Sequence, residues 1–119
     1  DILRKVQAHF HAHAPAGVTV EVVEGHSGDP YLADPQSVHG KAAQCALQRT
    51  FGREPVLIRE GGSIPIVNTF KQVLGADSLM LGFAGPNCNA HGPNENVRLE
   101  DLDRGAEAVA RLYAYLTER

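Results

Sequence analysis

After a polar connector, the chain alternates three helical patterns with only two strand-like runs, "PVLIRE" (55–60) and "SLMLGFA" (78–84). That ratio limits the available folds more than any other feature. Helix–strand alternation implies an α/β layer with at least partly parallel strands. A parallel sheet, however, needs both faces covered and more than two strands to stand alone. The missing strands must come from another part of the chain or from a partner. The first of the three helices is expected from about Pro35 to Phe51. There Ala43, Ala46, Leu47 and Phe51 form a narrow apolar stripe, and Gly52 ends it. The second is expected from Ile64 to Leu74, with Ile66, Phe70, Val73 and Leu74 on one side. Ser63 is placed as its N-cap, and Pro65 suits the first turn, where a missing N–H costs nothing. The third runs from about Leu99 to Leu116, with Leu102, Ala106, Val109, Leu112 and Leu116 at intervals of three and four. Glu100, Asp101 and Asp103 load its first turn, where the helix dipole favours anions.

Ahead of the connector, Leu3, Val6 and Phe10 predict a helix from Asp1 to about Ala14, stopped by Pro15 and Gly17. "VTVEVV" (18–23) then reads as a strand. The connector "EGHSGDPYLADPQS" holds two Asp-Pro pairs, each extending the backbone before its proline. It marks the expected boundary between residues 1–32 and 33–119. The chain opens already inside a helical pattern, which predicts a piece of a longer protein. Its 119 residues suit one domain, and a hydrophobic fraction of 43% supports a core and argues against disorder. A net charge of −3 offers no electrostatic footprint for nucleic acid or a membrane surface. No apolar run reaches the roughly 18 residues of a membrane helix. Cys45 and Cys88 form no CxxC pair and are expected as free thiols, so a cytoplasmic location is the expectation.

Three stretches carry candidate chemistry. On a helix, His9, His11 and His13 do not form one cluster, because a spacing of two turns neighbours about 200° apart. Only His9 and His13 share a face, either as solvated side chains or as a two-point metal ligand. His26 and His39, in or beside the connector, are expected as plain surface residues. "REGGSIP" (59–65) places two glycines between a strand and a helix, a geometry that offers free N–H groups to a carboxylate or phosphate. It also reads as a tight turn capped by Ser63, since neither the phosphate-loop nor the dinucleotide fingerprint is present. "GPNCNAHGPNE" (85–95) follows a buried strand and centres on His91, with Glu95 four residues on. Sites in open α/β sheets gather beyond the carboxyl ends of strands, where a histidine serves as metal ligand or general base. Cys88 and His91 form a C-x-x-H, but no second pair completes a structural zinc site. On its residues alone, the loop is either a long turn or a holder for His91.

In order and spacing, "GGSIP", the strand ending in a glycine-rich turn, "AHGPNE", and the final helix after "NVRLEDL" resemble one known family. It is the di-zinc metallopeptidase family of carnosinase, other dipeptidases, acetylornithine deacetylase and succinyl-diaminopimelate desuccinylase. The resemblance runs from Arg59 to about Leu116 and is looser over the first 58 residues. It implies an α/β fold in which this chain forms part of a mixed or parallel sheet of a zinc-peptidase catalytic domain. Residues 1–32 would be the tail of a lid, or dimerisation, domain, and 33–119 the C-terminal portion of the catalytic domain. The resemblance implies that His91 ligates one of two zinc ions, with Asn94 and Glu95 shaping the loop. It implies that Gly61, Gly62 and Ser63 hold the substrate's carboxylate or backbone, with Arg59 assisting as a cation. The family's remaining ligands and its glutamate base belong to a segment absent here. The chain is thus expected to be an inactive part of a hydrolase for dipeptides or N-acyl amino acids, in a homodimeric enzyme. A rival reading is a stand-alone dimeric binding domain without metal. Another is an acyl-transfer enzyme using Ser63 or Cys88, although Ser63 lacks the G-x-S-x-G elbow.

Overall fold

The computed structural model describes residues 1–25, 28–60 and 64–117. These residues contain α1 (Ile2–Ala12), α2 (Val38–Phe51), α3 (Pro65–Leu74) and α4 (Leu99–Thr117). All four expected helices form. α2 begins three residues later than Pro35 because residues 34–37 are spent on a turn. Ser37 N–H and Ser37 Oγ both donate to the Asp34 carbonyl, at 3.2 and 2.8 Å. Ser37 Oγ then accepts the Gly40 N–H at 3.0 Å and so caps the helix. Gly52 (φ 69°) and Gly75 (φ 65°) close α2 and α3 in left-handed backbone, as their positions predicted. Pro65 is the first residue of α3, with Ile64 at the N-cap; Ser63 lies outside the described residues.

The expected sheet is not formed by this chain's described residues alone. Among the described residues no strand forms, and no backbone hydrogen bond joins 18–23, 55–60 and 78–84 to one another. The β-branched and apolar pattern is real, but a ladder needs an aligned neighbouring edge, and these runs do not supply one to each other. "PVLIRE" instead leaves its apolar side chains in solvent, with Val56 82% exposed. Side chains, not ladders, tie the segments together. The Tyr31 hydroxyl accepts the Ser78 N–H at 2.8 Å and donates to the Ser78 carbonyl at 3.1 Å. Asn68 of α3 donates to the Asp29 carbonyl. The connector thus runs past α3 and the 78–84 segment on its way to α2.

The one helix pair in contact among the described residues is α2 with α4. Gly40, Ala43 and Ala46 are the buried positions of α2; Asp101, Gly105, Ala108 and Leu112 are those of α4. Ala46 and Ala108 are each 1% exposed. Such small side chains let backbones approach closely and place many atoms within dispersion range. Ala42, Leu79, Leu81, Tyr115 and Leu116 pack around this seam. Phe83 lies over Gly105, where a Cβ would come within 3.0 Å of its ring, and stacks on Phe51 at 6.4 Å. The Arg104 guanidinium sits 5.9 Å from the Phe51 ring centroid.

The buried face of α4 is rotated from the expected one. Leu112 is buried as expected, but Leu102 is 57% exposed. Leu102, Ala106 and Val109 instead line an open apolar groove with Phe83, Val97 and Tyr113. Ile66, Phe70, Val73 and Leu74 of α3 are likewise exposed, and only Val67 of that helix is buried. The radius of gyration, 19.4 Å, exceeds the ~13–14 Å of a compact domain of this length. The chain is therefore open, with apolar faces unmatched by its own residues.

Gly40 is the tightest point of the seam's flank. A Cβ there would lie 2.6 Å from the Asp34 carbonyl oxygen and 2.7 Å from that of Pro35. Backbone cannot swing aside like a long side chain. Gly40→Ala is expected to lower stability by ~1–3 kcal/mol through overpacking, although alanine is intrinsically the better helix former by ~1 kcal/mol. Urea unfolding followed by far-ultraviolet circular dichroism measures this; a more stable variant would show that the 34–37 turn moves freely.

Candidate functional site

The 85–96 segment is a stack of turns. Cys88 N–H donates to the Gly85 carbonyl at 3.1 Å, Gly92 N–H to Asn89 at 2.8 Å, and Glu95 N–H to Gly92 at 3.3 Å. Asn96 N–H then returns to the Cys88 carbonyl at 2.8 Å and closes the loop at its base. Side chains brace the interior. Asn89 Nδ2 donates to the Pro93 carbonyl, and Asn96 Nδ2 to that of Asn94 at 2.9 Å. Gly92 is required by contact with a neighbour, since a Cβ would fall 2.7 Å from Asn89 Oδ1.

Three non-glycine residues in this loop adopt left-handed backbone: Asn89 (φ 54°), His91 (φ 60°) and Asn94 (φ 59°). That region costs an ordinary L-residue roughly 1–2 kcal/mol, and asparagine and histidine are among the residues most often found there. Strain of this kind persists only where the surroundings over-determine the conformation. The ladder from Cys88 to Asn96 does so here. His91 sits exposed at the tip of a loop whose hydrogen bonds are otherwise spent on itself.

Asp101 of α4 lies beside the start of the loop. This carboxylate is the one buried charged group among the described residues, 6% exposed. It receives two bonds from Arg98, from Nε at 2.7 Å and from a terminal nitrogen at 2.6 Å. A Cβ on Gly85 would lie 3.8 Å from Asp101 Oδ2, so the carboxylate lies beside the loop's first residue. Hydrogen bonding from the Arg98 guanidinium holds the Asp101 carboxyl below its usual range, against the opposing effect of desolvation. Neither residue was singled out for this role from sequence. The R-x-x-D spacing at the start of a helix, which brings i and i+3 together, was the available signal.

The other expected site residues are less gathered. Arg59 is exposed, and Gly61, Gly62 and Ser63 lie outside the described residues. No hydrogen bond or ion pair among the described residues joins Arg59 to His91. Cys88 is half-buried and free and Cys45 is exposed and free, and among the described residues neither hydrogen-bonds a histidine as an acyl-transfer dyad requires. Among the described residues, no three of His, Cys, Asp and Glu gather in a metal-binding group. The loop therefore offers a single imidazole, with an open polar depression beside it lined by Pro86, Asn87, Asn89, Pro93, Asn94 and Asn96. No helix among the described residues is long and apolar enough to cross a membrane.

Residues 4–115 match the peptidase family M20/M25/M40, and the chain belongs to that family. Its relatives there are dipeptidases. It is 32% identical over 93 residues to the Cys-Gly metallodipeptidase DUG1 of Saccharomyces cerevisiae, covering 78% of this chain and 19% of that one. To the cysteinylglycine-S-conjugate dipeptidase of Corynebacterium striatum it is 31% identical over 112 residues, covering 92% of this chain and 25% of the relative. A solved structure of the dipeptidase Dug1p from Saccharomyces cerevisiae superposes with a TM-score of 0.74 at 32% identity, over 79% of this chain and 20% of that one. The chain thus spans between about a fifth and a quarter of the length of these relatives.

The Asp101–Arg98 pair gives the loop's root a pH dependence of defined sign. Its stabilisation is complete above the ordinary carboxylate range and is lost as pH falls through the depressed value. Asp101→Asn is expected to melt below the wild type at neutral pH, with the gap closing in acid as Asp101 itself protonates. A gap that persists undiminished in acid would show that the ionised carboxylate is not what anchors the loop.

Proposed function

We propose that this chain is the C-terminal part of a zinc-dependent dipeptidase, in which the 85–96 loop presents His91 to one of two active-site zinc ions. The observation that carries the reading is the left-handed backbone of His91, held by a loop hydrogen-bonded to itself. A loop that spends its polar groups on fixing one exposed imidazole fits a ligand, since neutral imidazole is a favoured zinc donor. A hydrolytic zinc needs about three protein ligands, and this loop supplies one. The others, and the base, are assigned to the part of the enzyme beyond these residues. Membership of a peptidase family and likeness to dipeptidases support the same assignment.

Zinc bound there would supply Lewis acidity at the scissile amide. The chain's own residues would hold and orient. His91 would fix the metal's position relative to α4, with the Asn96–Cys88 and Arg98–Asp101 contacts limiting its movement. Gly61, Gly62 and Ser63, at the start of α3, would receive the substrate's carboxylate on backbone N–H groups, with Arg59 adding positive charge. Fixing that carboxylate favours short substrates, dipeptides or N-acyl amino acids, whose free end lies within reach of the metal. Residues 1–32 would form the tail of a lid and contribute to a homodimer, and 33–119 would complete the catalytic domain. The lack of contact between α1 and any other described helix supports that division. Exposed apolar residues on α3 and α4 support a sheet completed by the rest of the enzyme. A cytoplasmic location accords with the free thiols.

Joining this chain to its N-terminal counterpart, in trans or as one polypeptide, and adding zinc should yield hydrolysis of dipeptides such as Cys-Gly. His91→Ala is expected to reduce kcat/KM by roughly 100-fold or more and to lower the zinc content. Substitution of Arg59 by Gln should raise KM with little change in kcat, as loss of uniform binding does. Equal activity and zinc content in the His91→Ala and wild-type enzymes would remove the ligand assignment.

A further inference from the structure

We infer that Gly105 of α4 is a positioning residue for His91. Its missing side chain lets Phe83 settle on the helix, which sets the register of the 79–85 segment and so the place of the loop that follows. This rests on the zinc-ligand role proposed for His91 and concerns how that ligand is held. From Leu79 to Pro86, half-buried and exposed residues alternate as they do along an extended chain, with Leu79, Leu81, Phe83 and Gly85 on the inner face. Leu79 and Leu81 pack on the cluster of Ala43, Ala46 and Leu112. Farther along, Phe83 lies over Gly105, and Gly85 lies beside the Asp101 carboxylate. Each step of two residues along the segment thus answers a step of four back along α4. Two extended residues cover roughly 6.6 Å and four helical ones roughly 6 Å, so segment and helix run antiparallel in matched register.

The match leaves no room at Gly105. A Cβ there would lie 3.0 Å from Phe83 Cγ and 3.1 Å from its Cδ2, closer than ordinary van der Waals contact. The Phe83 ring also stacks on Phe51 at 6.4 Å with planes at 17°, which restrains it from swinging aside. Added bulk at 105 would therefore displace the segment by a few tenths of an ångström. The loop would carry that displacement as a body. Cys88 N–H bonds the Gly85 carbonyl and Asn96 N–H bonds the Cys88 carbonyl, so its interior does not absorb the shift. Its other end continues through Arg98 into α4 at Leu99. A body joined there by backbone alone could pivot, and the Phe83–Gly105 contact stops the pivot. Metal–ligand distances tolerate a misplacement of only about 0.2 Å, so the shift would be felt at a metal bound to His91.

The test uses the full-length enzyme, this chain joined to its N-terminal counterpart as one polypeptide. Zinc affinity is read by chelator competition, and ligand geometry by the visible absorption bands of the cobalt(II) form. Gly105→Ala is expected to weaken zinc binding roughly tenfold, the scale on which residues supporting a metal ligand act, and to shift the cobalt bands. Phe83→Leu alone, which loosens the contact, should also weaken binding. The double variant should return to within about threefold of the wild type, because leucine makes room for the added methyl group. Gly40→Ala, which crowds the flank of α2 away from the loop, should leave zinc affinity unchanged. Wild-type affinity in Gly105→Ala, a double variant no tighter than Phe83→Leu, or a loss in Gly40→Ala as large as in Gly105→Ala would each overturn the positioning role. Where Gly105→Ala does not fold, the double variant against Phe83→Leu decides alone. Affinity lost in His91→Ala but kept in Gly105→Ala removes the positioning role only, whereas affinity untouched by His91→Ala removes the ligand role with it.

Discussion

The close approach of α2 and α4 is the contact on which the rest of the arrangement depends. Its core is Ala43 and Ala46 of α2 with Leu112 of α4, and the other buried positions of both helices are mostly small. Everything that positions the loop follows from where α4 is held. Asp101 stands one turn before Gly105 on the same buried face. Both Asp101 and Gly105 are buried, and the Asp101 carboxylate lies beside Gly85. Phe83, seated on Gly105, fixes the segment that leads into the loop from the other side. The loop is thus held at both ends by one helix.

That arrangement separates rigidity from completeness. The 85–96 loop is internally satisfied and anchored, whereas α1, α3 and the outer groove of α4 present apolar residues to solvent. On the function proposed above, a His91 loop fixed before assembly would leave less conformational entropy to be lost when a metal binds.

How much was legible depended on whether the deciding interaction was local. Helix ends were, because Pro65, Gly52 and Gly75 act through their own backbone. The buried face of α4 was only partly so. Hydropathy favoured Leu102, Ala106 and Val109, but close packing selected the smaller Gly105 and Ala108, and size matters more than hydropathy when backbones approach. The runs at 18–23, 55–60 and 78–84 carry strand-like patterns without strand pairing, because pairing is a property of neighbours and not of a run. The left-handed backbone of His91 could not be read from its own identity. Its surroundings hinted at it, since Asn89 and Asn94 flank it with residues that tolerate the same conformation. The buried Asp101 was legible as an acidic residue in a first turn, but not as the root of a loop that precedes it in sequence.

The seam also has a consequence for how the chain tolerates change in length. Joining α2 to α4 closes the interval from Gly52 to Arg98 into a single ring of backbone. The entropy of such closure grows only logarithmically, about 0.6 kcal/mol for each doubling of the ring. Added residues between Gly52 and Glu60 would therefore cost little in closure entropy. Within 85–96 the same latitude vanishes. Three consecutive turns share one closing bond between Asn96 and Cys88, and a single inserted residue would put them out of step. The ring is elastic in one stretch and fixed in another, and His91 lies in the fixed one.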